Sequence, residues 1–287
     1  MRRPREYDTL ARVCLHVLLV TISLFMLLPF AWMVGASLKS GQDVFASVFL
    51  PSGDGWLGVA WSRLSADNFV RLFRGAGFGR AMLYSTFYAS VTAVGGTLGA
   101  SLCGYALAKF SFCGRRLLTA VVLGAVLVPG PLLFAPGYQV LYRLGLMDSY
   151  AGLILPALVP AVGVFLFRQA MIHGVPDELL DAARIDGAGE VRIFFSIVMP
   201  MIRPMLGAFL LITFLGAWNN FIGPQVVLQR PEIFPLTTTL TNLRGSQYQD
   251  WGLVMAGTLV SILPMMGLFL LLQRDFIQGL TAGAVKH

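Results

Sequence analysis

Charged residues are scarce in this sequence. Aspartate, glutamate, lysine and arginine make up 12% of the 287 residues, whereas a typical soluble domain is about 25% charged. Apolar residues make up 56% of the chain, and the mean hydropathy is +0.74. Because a water-exposed surface needs more charge than this, we expect most of the chain to lie in a lipid bilayer.

Residues for several kinds of catalytic and cofactor chemistry are missing as well. The only lysines are Lys39, Lys109 and Lys286, and none of them follows a glycine. This excludes the Gly-Lys-Ser/Thr loop that binds nucleotide phosphates. The three histidines and three cysteines have no spacing typical of a catalytic triad, a metal site or a disulfide framework. The sequence therefore predicts a chain that is not an enzyme and holds no cofactor or metal of its own.

Long uncharged runs dominate the rest of the sequence. Six of them reach or approach the roughly 20 apolar residues that a membrane-spanning helix needs. We predict helices because backbone groups in lipid must bond internally, and the alternating segments of a barrel are not seen. The predicted spans within a membrane domain of residues 13–273 are 13–36, 82–108, 117–141, 149–167, 204–228 and 252–273. The predicted fold class is therefore all-α, a polytopic membrane protein with six transmembrane helices.

Lysine and arginine are distributed unevenly among the loops. Residues 1–12 and 168–203 contain four each, and residues 109–116 contain three. Because short loops rich in these residues face the cytoplasm, we expect the N-terminal segment 1–12 and the C-terminal tail 274–287 to be cytoplasmic. This bias accounts for the net charge of +7. The chain lacks the basic patch on a soluble face that a nucleic-acid partner would need.

One polar, helix-prone segment interrupts the apolar sequence at residues 174–200. Pro176, followed by the acidic residues Asp177 and Glu178, is typical of a helix start. An apolar stripe follows at helical spacing and consists of Leu179, Ala182 and Ala183. We expect Asp186 and Gly187 to end this helix, since glycine adopts left-handed angles at low cost.

A second helical stretch follows Gly187, and we expect Pro200 to end it. The first, amphipathic helix could dock its stripe into a groove on another protein or lie at the lipid headgroups. Residues 176–190 hold five acidic residues against Arg184, which favours docking. Further upstream, Gly96 and Ala100 are four residues apart, a spacing that predicts close helix packing within this chain or with a partner subunit.

The polar segment resembles a motif of the inner-membrane permease subunits of binding-protein-dependent ABC importers. That motif reads Glu-Ala-Ala, three residues, Gly, nine residues, Ile, one residue, Leu-Pro. Here Asp181-Ala182-Ala183, Gly187, Ile197 and Met199-Pro200 have the same spacing. Aspartate replaces glutamate and methionine replaces leucine, and the shorter aspartate changes the reach of any salt bridge.

Further segments resemble the carbohydrate branch of that family, the maltose-type second permease. They are GYALAKFSFCGRR at 104–116, APGYQVLYRLGLMDSYAGLILP at 135–156, WNNF at 218–221 and LLLQRDFIQGLTAGAVKH at 270–287. One departure is Tyr84, which stands where the branch often has asparagine.

The resemblance implies a coupling helix at residues 176–190, between the fourth and fifth spans, that is seated in a cytoplasmic ATPase. Its contact residues would be Pro176, Glu178, Leu179, Asp181, Ala182, Ala183, Asp186 and Gly187. ATP and Mg would bind to the ATPase dimer and not to this chain. A second permease would form a heterodimer with it in the bacterial inner membrane, with a homodimer as the alternative. An extracytoplasmic binding protein would deliver a sugar or sugar derivative.

Four residues of the fifth span are candidates for the substrate path: Trp218, Asn219, Asn220 and Gln225. The alternative for the two asparagines is interhelical hydrogen bonding, worth about 0.6–2 kcal/mol. Alternatives also remain for the function: an ATP-independent secondary transporter or channel, a non-transporting scaffold, or a permease for a polyol or glycerol phosphate. The absence of charge from the spans argues against proton coupling but leaves a sodium site of backbone carbonyls open.

Overall fold

The computed structural model describes residues 6–75, 77–244 and 250–282, with side chains for 11–75, 77–243 and 250–279. The predicted terminal segments 1–12 and 274–287 lie partly outside the described residues. The α-helices of the described chain are α1 (Glu6–Ser37), α2 (Asp67–Gly75), α3 (Phe78–Lys109), α4 (Arg115–Leu127), α5 (Phe134–Arg143), α6 (Tyr150–Ile154), α7 (Ala161–Gly174), α8 (Asp177–Ile185), α9 (Glu190–Ile193), α10 (Met199–Met201), α11 (Arg203–Trp218), α12 (Ile222–Val227), α13 (Leu236–Arg244) and α14 (Trp251–Ala282). This confirms the all-α prediction.

Four helical segments are long and apolar enough to cross a membrane. They are Ala11–Ser37, Phe78–Lys109, Tyr150–Gly174 and Trp251–Gly279. Two bent pairs raise the number to six if each pair is one span: Arg115–Leu127 with Gly130–Arg143, at 107°, and Glu190–Met201 with Arg203–Trp218, at 85°. The protein is therefore a polytopic membrane protein, and the exact limits of its six spans stay predictions.

Proline accounts for both bends. Pro129 and Pro131 flank Gly130 between α4 and α5, and Pro204 lies in the first turn of α11. Proline removes a backbone donor and clashes with the preceding turn, so a helix changes direction there.

The second helical stretch ends one residue beyond Pro200, close to the predicted place. It runs without interruption through α9, a π-helical turn at Phe194–Val198 and α10 to Met201. Ile202, with φ −100° and ψ 15°, then leaves the helical region.

The described residues form two compact units. Unit 1 contains the residues up to Phe78 and Leu240–Ile262, and unit 2 contains Gly79–Thr239 and the residues from Leu263 onward.

Polar contacts around the end of α1 hold unit 1 together. The Lys39 ammonium is buried and donates to the carbonyl of Ser47 at 2.7 Å. Burial lowers the pKa of this ammonium, and the nearby Asp43 carboxylate opposes the shift. Asn68 of α2 donates to the carbonyls of Ser37 and Lys39 at 2.9 and 2.7 Å. The chain that follows α1 is therefore fixed against α2.

Aromatic side chains from several helices meet in the core of unit 2. Phe167 of α7 packs edge-on against Phe209 of α11, with ring centroids 5.2 Å apart. Tyr105 of α3 lies 5.4 Å from Phe194. A Cβ atom added to Gly96 would lie 2.9 Å from the carbonyl oxygen of Ala157, so the small residue is needed for a close approach inside this chain.

Candidate functional site

The start of α8 follows the sequence prediction. Pro176 precedes the helix in the extended region, with φ −64° and ψ 139°, and Asp177 and Glu178 occupy the first turn. The fixed φ of proline suits this entry, and the two carboxylates favour the positive end of the helix dipole.

The end of α8 is a tight turn at Gly187, as predicted. Gly187 has a φ of +80°. Its N–H donates to the carbonyl of Arg184 at 3.0 Å, and the N–H of Ala188 donates to the carbonyl of Ala183 at 2.9 Å. These two bonds define the Schellman ending, in which the residue after the helix must be left-handed. The helix end is thereby closed by the backbone alone.

One side of α8 is packed into unit 2. Leu180 is 1% exposed and Ala183 is 9% exposed, and both belong to the core that contains Phe167, Met171 and Ile193. The structure thus places Ala183 against the chain's own core, where it cannot reach another protein without a rearrangement. The stripe predicted from the sequence is divided between the two sides of the helix.

The other side of α8 is free. Leu179 and Ala182 are exposed, together with Glu178, Asp181 and Asp186. Ile185, which was not among the predicted contact residues, is 86% exposed and continues the spacing of Leu179 and Ala182. We call the apolar row Leu179, Ala182 and Ile185, with its three flanking carboxylates, the free face of α8. A large aliphatic side chain three residues beyond Ala182 was the signal available in the sequence.

Lys109, the last residue of α3, ties that helix to the beginning of α8. Its ammonium donates to the carbonyl of Val175 and to the Asp177 carboxylate, both at 2.6 Å. The Lys109 side chain is 5% exposed, whereas that of Asp177 is 75% exposed. The hydrogen bond from Lys109, reinforced by its charge, lowers the pKa of Asp177. A displacement of α8 would therefore pull directly on α3.

A pH titration tests this connection. We expect Asp177→Asn to be less stable than the wild type at neutral pH, and we expect the difference to disappear in acid. Because the folded-state pKa of Asp177 is depressed, its contribution is complete above the unfolded-state value of about 3.9 and is lost as the pH falls through the folded-state value. Thermal unfolding of the purified proteins between neutral pH and about pH 3 measures this.

Asp186→Asn is the matched control, because it removes an exposed carboxylate with no ion pair among the described residues. It should follow the wild type at every pH. A difference between Asp177→Asn and the wild type that stayed constant down to the lowest pH would show that the ion pair is not its cause.

Arg184 joins α8 to the segment that follows it. Its guanidinium donates to Asp181 Oδ1 and to Glu190 Oε1, each at 2.7 Å. These bonds, that to Glu190 first, raise the pKa of Arg184. The hydroxyl of Tyr105 on α3 donates to Glu190 Oε2 at 2.9 Å. Asp181 thus has an internal partner, while it remains exposed on the free face.

The four residues predicted for a substrate path lie around the break between the end of α11 at Trp218 and the start of α12 at Ile222. Three of them differ from one another in burial and in contacts. Trp218 is buried and stacks on Phe214, with ring centroids 5.6 Å apart, so its ring packs inside the chain. Asn219 is exposed and donates to the carbonyl of Leu215 at 3.0 Å. Gln225 is exposed on α12.

Asn220 is the fourth of these residues, and it connects the break to α3. Its amide donates to the Tyr88 hydroxyl at 3.1 Å, and its Oδ1 accepts from the N–H of Gly223 at 3.0 Å. Tyr88 and Asn220 line a cavity of about 350 Å³ together with Tyr138 of α5.

An aromatic group stands next to this cavity. The ring of Tyr150 lies 5.6 Å from that of Tyr84, 6.0 Å from that of Phe87 and 6.1 Å from that of Tyr88. In the sequence, Tyr84 stands out only as a departure from a motif. Its proximity to Tyr150 depends on the packing of α3 against α6, which no local pattern encodes.

Comparison with individual proteins gives two similar sequences and one similar structure. The arabinooligosaccharides transport system permease protein AraQ of Halalkalibacterium halodurans is 39% identical over 231 residues, covering 78% of this chain and 81% of the relative. AraQ of Bacillus subtilis is 34% identical over 291 residues and is covered completely, as is this chain. A chain of a bacterial ABC transporter involved in the import of the acidic polysaccharide alginate has the same fold, with a TM-score of 0.77 at 21% identity over 96% of this chain and 100% of that chain.

The family comparison covers more than half of the chain. Residues 96–280 match the family described as "Binding-protein-dependent transport system inner membrane component". This range contains α8, the break after α11 and most of the described membrane helices. The chain therefore belongs to the family of inner-membrane components of binding-protein-dependent transport systems.

Proposed function

We propose that this chain forms half of the transmembrane path of an importer for a neutral oligosaccharide, and that a separate ATPase drives it through the free face of α8. The observation that carries the proposal is the two-sided character of α8. One side is fixed to the core of unit 2, while the other presents an apolar row flanked by carboxylates to the surroundings. A helix of this kind can transmit a push from a bound partner to the helices behind it.

The contacts that fix α8 to the rest of unit 2 determine which helices a movement of α8 would displace. Lys109 and Tyr105 lead to α3, and Leu180 packs on the core residues Phe167 and Met171 of α7. Glu190, which binds Arg184 of α8, is the first residue of α9 and so begins the bent segment that ends in α11. Movement of α8 would therefore shift three membrane helices together, because a closely packed core transmits displacement instead of absorbing it.

The lining of the cavity beside Asn220 favours an uncharged solute. Its lining residues are aromatic, aliphatic, glycine, proline and amide residues, and none of them is charged. A phosphate ester would require compensating basic groups in such an apolar setting. A sugar instead offers hydroxyl groups to an amide such as Asn220 and C–H faces to aromatic rings such as Tyr138. This argues for a sugar over glycerol phosphate, in line with the name of the AraQ relatives.

The partners follow from the family and from the charge bias of the loops. A second permease would complete the path as a heterodimer, and an extracytoplasmic binding protein would deliver the solute. An ATPase dimer holding ATP and Mg would sit on the side of α8, and the loop charges predict both chain termini on that same side. This chain would perform no catalysis itself.

Transport by the complete complex in proteoliposomes tests the proposal. We expect uptake of an arabinose-type oligosaccharide only when ATP, the binding protein and an active ATPase are all present. A catalytically inactive ATPase that still binds ATP is the matched control, and it should stop uptake. Uptake that persisted with this ATPase would favour a secondary transporter or channel, and preferential uptake of glycerol 3-phosphate would contradict the sugar assignment.

A further inference from the structure

Three arginines surround a cavity in unit 2 that the transport proposal does not use. The cavity has a volume of about 320 Å³ and is lined by Arg115, Arg116, Thr119 and Arg168. The first two begin α4, and Arg168 lies in the second half of α7. The packing of α4 against α7 brings these positions together.

The cavity lies at the end of unit 2 that carries α8. Arg115 Nε donates to the carbonyl of Leu107 at 3.0 Å, and a terminal nitrogen of Arg115 donates to the carbonyl of Ala108 at 3.1 Å. These carbonyls belong to the last turn of α3, and the next residue, Lys109, binds Asp177 of α8. Because α3 is a membrane span, the cavity is placed where that span meets the headgroup region.

The positive charge around the cavity has no counterion within the described chain. The Nε atom of Arg168 is buried and finds no hydrogen-bond partner among the described residues. None of the ion pairs of the described residues includes Arg115, Arg116 or Arg168. The first turn of α4 also holds no acidic residue, and its N-cap Gly114 has no side chain to cap it. Three guanidinium groups that converge without a counterion are unfavourable, and an anion bound in the cavity would compensate their charge.

We propose that this cavity binds the phosphate group of an anionic phospholipid. Guanidinium groups match phosphate oxygens with paired hydrogen bonds, and basic pockets between membrane helices suit such headgroups. Exposed aliphatic side chains of α4 continue from the cavity along the helix and offer a surface to acyl chains: Leu117, Leu118 and Val121. This continuity favours a lipid over a free phosphate ion.

The general preference for arginine at the ends of spans does not account for this arrangement. That preference places basic residues in a loop, where water solvates them. It predicts neither the convergence of arginines from α4 and α7 on one cavity nor the buried Nε of Arg168.

Native mass spectrometry of the complete transporter tests the site. The complex is purified from a membrane containing phosphatidylglycerol and exchanged against excess phosphatidylethanolamine. We expect the wild type to retain phosphatidylglycerol, and Arg168→Gln and Arg116→Gln each to lower the apparent affinity about tenfold, the usual effect of losing one charge-assisted contact. Arg116 is exposed, so its replacement leaves the core intact.

Arg143→Gln is the matched control, because it removes the same charge from an exposed arginine outside the cavity. It should retain phosphatidylglycerol like the wild type. Addition of inorganic phosphate then separates the two sources of the anion, since a lipid ligand stays bound and a free-anion site releases it. Displacement by phosphate, equal retention by the wild type and both cavity variants, or equal loss in Arg143→Gln would each overturn the proposal.

Discussion

Replacing Gly187 with proline will abolish ATP-driven uptake and leave the amount of protein in the membrane close to that of the wild type. Gly187 has a φ of +80°, whereas the proline ring fixes φ near −65°. Proline also removes the N–H that donates to the carbonyl of Arg184. We expect a cost of at least about 3 kcal/mol, which lowers the population of the native turn roughly 100-fold.

The loss of this turn matters because it fixes the free face of α8. The turn brings Ala188 back to the Ala183 carbonyl and places Glu190 against Arg184. Without these contacts the end of α8 can unwind, and Ile185 no longer has a defined position. The membrane helices would persist, since most residues of the shared core, such as Tyr105, Phe167 and Phe209, lie on α3, α7 and α11 and pack against one another.

Gly187→Asn is the control for this prediction. Asparagine keeps the N–H and adopts the left-handed region at a cost of about 1 kcal/mol or less. We expect it to retain most of the uptake, measured with radiolabelled oligosaccharide and normalised to the permease in the membrane. Uptake at the wild-type level in Gly187→Pro would remove the turn from the coupling mechanism.

Local chemistry explains why the two ends of α8 were predictable from the sequence. Pro176 and Gly187 act through their own backbone dihedral angles, so the residue type alone indicates the structure. The membrane spans are predictable for the same reason, because the suitability of each residue for lipid depends on its own type and the spans contain no charged residue.

The division of α8 into a buried and a free side was not predictable from the sequence. Leu179 with Ala182, and Leu180 with Ala183, show the same spacing of three residues, so periodicity offers two equivalent faces. The core of α3, α7 and α9 selects the second pair for burial. The Lys109–Asp177 ion pair, 68 residues apart in the chain, likewise exists only after those helices have packed.

The bends were also beyond the reach of hydropathy. The composition and the length of a run such as 117–141 are those of a membrane-spanning helix. The direction of the chain instead depends on the prolines around Gly130, which turn α5 away from α4 by 107°. Such a break leaves no mark in the hydropathy of the run, because proline and glycine carry no charge.

Replacing Ile185 with aspartate will detach the ATPase and abolish ATP-driven uptake without destabilising the permease. Ile185 is 86% exposed, so a charge at this position costs the isolated chain within about 0.5 kcal/mol. If the free face is seated in a groove of the ATPase, the same change places an unpaired carboxylate in a dry interface. We expect a loss of about 2 kcal/mol or more in association, which is roughly 30-fold in affinity.

Co-purification of the ATPase, together with hydrolysis stimulated by the loaded binding protein, measures this loss. Ile185→Leu keeps the apolar contact and should behave like the wild type. Phe112→Asp is the matched control, since it places the same charge on an exposed apolar residue of the α3–α4 turn, at the same end of unit 2. If Ile185→Asp retains the ATPase and normal uptake, or if Phe112→Asp loses both to the same degree, the free face of α8 is not the docking surface. Selective loss in Ile185→Asp, with unchanged thermal unfolding of the permease, would instead separate a binding defect from a folding defect and assign the contact to α8.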